Sequence, residues 1–182
     1  MDRYMEENGP SGNWQELIVP VALGVAAIIV IPIILASLDG VPPERTLALV
    51  GSALVIEYGA GAVGIALGIS PITTFLILAS AGLGLVVLLF AIFDTLGKKS
   101  GKVAGFLKKT ESRMERHPFI RKWGILALFP GVVIVGIYFV TPVAWILRWE
   151  TRQSIFLILA GYLAAGAVTL LGTLGFFRLL SL

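Results

Sequence analysis

The sequence predicts an all-α integral membrane protein. It reads as an N-terminal membrane helix followed by two inverted units, each a re-entrant or broken segment plus a regular membrane helix, joined by a basic cytoplasmic amphipathic helix. Three observations predict it. The 182 residues are 57% hydrophobic and only 14% charged, with a mean hydropathy of +0.94, whereas a soluble domain carries about a quarter charged residues. Five apolar runs stand out: Leu17–Leu38, Thr46–Ile69, Ile72–Phe93, Gly124–Leu147 and Ser154–Phe177. The word FLILA occurs twice, at Phe75–Ala79 and Phe156–Ala160, each time directly after an apolar run rich in Gly or Pro.

Residues 1–16 form a polar tail. The acidic residues Asp2, Glu6, Glu7 and Glu16 stand where a secretory signal would be basic, and the first run is too long for a signal core, so no cleaved signal is expected. The run 17–38 has 22 residues. At 1.5 Å per residue that is about 33 Å, enough for a hydrocarbon core of about 30 Å. Pro20 and Pro32 lie near its ends.

Residues 46–93 make the first unit. Its opening segment, TLALVGSALVIEYGAGAVGIALGI, holds five glycines and Glu57. Ala60, Gly64 and Gly68 form a small-residue seam suited to close helix packing. The segment Ile72–Phe93 reads as an ordinary spanning helix. Residues 94–123 form the connector, where nine of the fourteen Lys/Arg residues fall between Lys98 and Lys122. The positive-inside rule makes this loop cytoplasmic. Val103, Phe106, Leu107 and Met114 share one helical face, and Pro118 stops that helix. Trp14, Trp123 and Trp149 sit at run edges, where indoles favour the interface.

Residues 124–177 make the second unit. Its first segment carries Pro130, Pro142, Gly131 and Gly136, and its second is the other FLILA helix. Broken apolar segments at corresponding places in two halves point to a transporter core, because the freed backbone groups must line a protein-enclosed cavity. Breaks are expected at Gly59–Gly64 and Pro130–Gly136, with Phe75 and Phe156 at matching depths. Two topologies stay open. Five full spans give eleven Lys/Arg inside and three outside; two re-entrant segments give twelve and two, and then the units are inverted.

Glu57 is the one ionisable residue inside an apolar run. A charge at the bilayer centre costs roughly 2.5–3.5 kcal/mol on insertion scales. Removing a carboxylate from water favours its protonated form, and a carboxylate that can gain and lose a proton is suited to proton coupling. Tyr58 and Tyr138 are candidate hydrogen-bond partners for it, and Pro130 marks the second reversal. The competing reading makes Glu57 a protonated structural hydrogen-bonder.

The stretches EYGAGAVGIALGISP (Glu57–Pro71) and FPGVVIVGIYFVTPVAWILRWETRQSIFLILAGYLAAG (Phe129–Gly166) resemble the small multidrug export proteins, a family related in architecture to the DedA, or VTT, membrane proteins. With the basic loop, the resemblance covers most of residues 46–177. No counterpart exists for an arginine that the family usually carries soon after the glutamate. The resemblance implies transport or translocation of a lipid or lipid carrier, with proton coupling as one form of it.

The chain has no cysteine and one histidine, His117, so neither thiol chemistry nor a multi-histidine metal centre is expected, and no cofactor. There is no Walker, zinc or Ser-His-Asp pattern, which argues against an enzyme. The pI of 9.4 arises from one loop and does not call for nucleic acid. The expected partners are membrane lipids, and a chain this small suits a homodimer or a larger membrane complex. The expected setting is the plasma membrane, with several passes. The reading from a different class is a non-transporting subunit or scaffold that packs through its glycine-rich helices.

Overall fold

A computed structural model describes residues 14–99 and 122–180. All regular structure among them is helical. The expected connector helix and His117 lie outside the described residues.

The first helix is one rod in three parts: α1 (Trp14–Val25), a π-helical turn (Ala26–Val30) and α2 (Ile31–Leu38). Pro32 explains the widened turn. Its ring displaces the carbonyl four residues back and it has no N–H to give, and a π turn absorbs both defects. Pro42 is extended and Pro43 starts α3 (Pro43–Ile56) at the position where a missing N–H costs nothing. A 3₁₀ turn, Glu57–Gly59, leads into α4 (Ala60–Ala66). The long helix α5 (Pro71–Lys99) follows. After a 3₁₀ turn at Gly124–Ala127 come α6 (Leu128–Val135), α7 (Ile137–Ile146) and the 30-residue α8 (Thr151–Leu180).

Among the described residues, four segments are long and apolar enough to cross a membrane: Leu17–Leu38, Pro43–Ala66, Pro71–Thr95 and Thr151–Phe176. The chain is accordingly a membrane protein. Large apolar side chains such as Leu23, Val55, Phe139 and Phe156 face outward at 62%, 79%, 72% and 71% exposure. Between the helices lies a core that includes Leu49, Ile77, Val86, Val132, Ile137 and Ile158.

The segment Pro43–Ala66 has the length of a span but not its shape. Arg45, at its start, donates from Nη1 to the Leu67 carbonyl just past its end, at 3.2 Å. A straight helix would separate those residues by about 33 Å, so α3 and α4 fold back side by side. The arms of α6 and α7 do the same. A Cβ on Gly131 would lie 3.3 Å from Val140, on the far side of the turn at Gly136.

The two hairpins open at opposite ends of α5. Asp39, at the mouth of the first, accepts a hydrogen bond from Thr73 at the start of α5 (2.7 Å). Trp145, near the mouth of the second, donates from its indole N–H to Asp94 toward the end of α5 (2.7 Å).

The turn that ends each hairpin is the same turn, 80 residues apart. Gly68 donates to the Ile65 carbonyl and Ile69 to that of Gly64; Arg148 donates to Trp145 and Trp149 to Ala144. Both are Schellman closures with a left-handed residue, Gly68 at φ +74° and Arg148 at φ +52°. The next link recurs too: Thr74 N–H to Ser70 O, and Ser154 N–H to Glu150 O. Burial along α5 and α8 follows the same step, with buried residues at 74, 78, 81, 82, 85, 86 and 90 matched at 154, 158, 161, 162, 165, 166 and 170.

FLILA recurs at a spacing of 81, one residue out of step with this register. The register pairs Phe75 with Ile155, not with Phe156; Phe75 is half-buried and Phe156 exposed. The two phenylalanines differ by about 1.5 Å in depth but by about 100° around the helix.

Three other expectations shift. The first break falls at Glu57, just before the glycine stretch, because Gly64 is needed inside α4, where Thr74 packs too closely for a Cβ (2.4 Å). Gly68 is a turn residue rather than part of a packing seam, while Ala60 and Gly64 are buried. Pro130 does not reverse the chain. It occupies the first turn of α6, where proline is tolerated, and Gly136 makes the break.

Candidate functional site at the hairpin tips

The tips of the two hairpins meet. At the first tip α3 ends at Ile56, and Glu57 takes φ +52°, ψ −128°. At the second, α6 ends at Val135 and Gly136 takes φ +84°, ψ 172°. Glycine adopts such a conformation freely. For glutamate it is strained by about 1–3 kcal/mol, so the position retains a carboxylate where glycine would fit the backbone better.

Breaking a helix leaves carbonyls without partners at one end and amides at the other. In hydrocarbon each such group costs several kcal/mol. Here each hairpin satisfies the other. The half-buried Glu57 carboxylate accepts the Ile137 N–H at 2.9 Å, and the Tyr138 amide also turns toward it, so Glu57 caps the N-terminus of α7. Tyr58 donates its hydroxyl to the Val133 carbonyl in the last turn of α6, at 2.9 Å. Tyr138 donates to the Leu54 carbonyl in the last turn of α3. The exchange is reciprocal: each tyrosine reaches the carbonyl three residues before the opposite break.

Gly136 allows this contact. A Cβ there would sit 2.3 Å from Glu57 Oε1. Tyr162 of α8 backs the site, edge-on to Tyr58 with ring centroids 6.2 Å apart, in space left by Gly82 of α5.

Three of the four residues singled out from sequence therefore converge: Glu57, Tyr58 and Tyr138. The tyrosines do not bond Glu57 as expected. The Ile137 amide takes the carboxylate, and the hydroxyls serve the orphan carbonyls. Pro130 stands six residues before the second break, outside the contact. Ile137 is not singled out by the sequence, and Gly136 is read there only as one end of the second break, not as a neighbour of Glu57; the signal for that contact is the position of Gly136, 79 residues after Glu57, close to the step between the two turns.

At the mouth of the first hairpin, Thr73 and Ser70 hydroxyls hold the Asp39 carboxyl below the usual carboxylate range. Among the described residues, no group of three His, Cys, Asp or Glu side chains could hold a metal ion. No protein-family model, curated protein or solved structure matches the chain.

Proposed function

We propose that this chain is a small secondary transporter or lipid-translocating protein whose two hairpins re-enter the bilayer from opposite faces and meet at Glu57. The observation that carries this is the single carboxylate at the contact of two broken helices, held by backbone groups of the opposite hairpin. Opposite entry with a shared step of 80 residues makes the units an inverted repeat, an architecture that transporters use around a midplane site. The resemblance to small multidrug export and DedA-like proteins supports the same reading, as does the strain accepted at Glu57. In this reading the protein is not an enzyme and works in the plasma membrane, and Glu57 exchanges the Ile137 amide for a proton as the tips part.

The other reading makes Glu57 only a helix cap within a packing scaffold. It has its own support, since the carboxylate already has an amide partner. One variant separates the two. Glu57→Gln keeps the shape and a carbonyl for the Ile137 amide, but cannot ionise. Purified protein in proteoliposomes with an imposed pH gradient should lose proton-coupled flux on this change while its thermal stability stays close to the parent's. Retained pH-dependent flux would refute the assignment.

A further inference from the structure

In the 80-residue register, two positions touch their own counterparts. Glu57 meets Ile137, whose N–H it accepts at 2.9 Å. Gly82 meets Tyr162, since a Cβ on Gly82 would lie 2.7 Å from Tyr162 Cε1. Where two units are related by a two-fold axis, a residue that touches its own counterpart lies beside that axis. At each of these contacts only one half brings a polar side chain: the carboxyl of Glu57 opposite the Ile137 backbone, and the hydroxyl of Tyr162 opposite a glycine. The two groups lie within electrostatic reach of each other, and Tyr138 reaches Tyr162 as well. Tyr162 is 1% exposed. Its ring fills the space at Gly82 and stands edge-on to Tyr58, which a phenylalanine would do equally. Tyr58 and Tyr138 each give their one hydroxyl proton to a carbonyl, whereas the Tyr162 hydroxyl makes no hydrogen bond among the described residues.

We propose that the Tyr162 hydroxyl is the second partner of Glu57, receiving the carboxyl when the hairpin tips part and it leaves the Ile137 amide. The proposal rests on the transport reading above. The chemistry of the surrounding groups selects Tyr162. An ionised carboxylate only accepts hydrogen bonds, while a protonated one also carries an O–H that needs an acceptor. The Ile137 amide donates and never accepts, so it cannot serve that O–H. Tyr58 and Tyr138 can accept, but their protons are committed, and they serve the ionised form only by uncovering a carbonyl. An uncommitted hydroxyl does both. A buried hydroxyl without a partner is uncommon in folded proteins, and a partner met in another state of the tips accounts for this one. Tyr162 is thus a positioning residue. It holds Glu57 in either protonation state and keeps its own proton.

Tyr162→Phe removes the hydroxyl and keeps the ring. Its melting temperature should match the parent's, because no bond is lost while the tips are in contact. In proteoliposomes with an imposed pH gradient, proton-coupled flux should fall roughly tenfold or more, the worth of one hydrogen bond to a charged group. Infrared spectroscopy reads the pair without transport. The C=O band of the protonated carboxyl, identified as the one that Glu57→Gln removes, should move to higher wavenumber in Tyr162→Phe as the acid loses its acceptor. An unmoved band would overturn the inference, as would a melting temperature several degrees lower, which would make the hydroxyl a structural bond. Loss of flux in Glu57→Gln with parental flux in Tyr162→Phe would remove Tyr162 and leave the transport reading standing. Retained pH-dependent flux in Glu57→Gln would remove both.

Discussion

Glu57 and Gly136 are opposite solutions to the same backbone problem. Both sit at positive φ where a helix breaks; one is the residue that adopts the angle without cost, and the other is not. Gly136→Ala should be severe for two reasons, the angle and the Cβ placed 2.3 Å from Glu57. The backbone strain alone is about 1–3 kcal/mol, and a drop of several degrees in melting temperature is the expected reading. The two tyrosines carry a cleaner prediction. Tyr58→Phe and Tyr138→Phe each preserve the ring but strand one carbonyl, at Val133 and Leu54 respectively. Each should cost about 1–3 kcal/mol in equilibrium unfolding. Equal and small effects below a few tenths of a kcal/mol would mean that the carbonyls find other partners and that the tyrosines do not hold the tips.

The helices and their order were legible because hydropathy over twenty residues is a strong signal, and Pro43 and Pro71 mark helix starts by their chemistry. The breaks were legible only in part. Gly and Pro announce that a helix can be interrupted, but not which residue yields. Gly64 reads as a breaker until Thr74 is seen to need its missing side chain, and Pro130 reads as one until it falls in a first turn. Glu57 breaks its helix against its own backbone preference, which no local pattern reveals. FLILA, at a spacing of 81, lies one residue out of step with the 80-residue spacing of the two turns, and identical letters one position out of phase fall on different helix faces. The cross-hairpin partners join residues about 80 apart, beyond any local periodicity. At the mouth of the first hairpin, Asp39 links α2 to α5 through Thr73. Its depressed pKa means that it contributes stability at neutral pH and loses it as pH falls through the folded-state value. Asp39→Asn should therefore melt below the parent at pH 7, and the gap should close below about pH 4, the ordinary carboxylate range.

At the scale of the whole molecule, two hairpins open at opposite ends of α5 and touch in between. Re-entry predicts a labelling pattern distinct from that of five spans. With single cysteines in intact cells and an impermeant thiol reagent, Gly40→Cys and Ser70→Cys should label from one side together, and Leu147→Cys from the other. If all five apolar runs crossed, Gly40 and Ser70 would fall on opposite sides, and Ser70 and Leu147 would share one.

The mutual capping of the hairpins also bears on how the protein is made. The carbonyl of Leu54 has its donor on Tyr138, 84 residues later. At a synthesis rate of 5–20 residues per second, the first hairpin waits roughly 4–17 s for the residue that completes it. During that interval its tip must stay near water, in the translocation machinery or at the headgroups, since bare carbonyls are costly in hydrocarbon. If the hairpins re-enter the bilayer as proposed, the first reaches its final depth only once the second has been synthesised, and both tips are buried late and together rather than helix by helix.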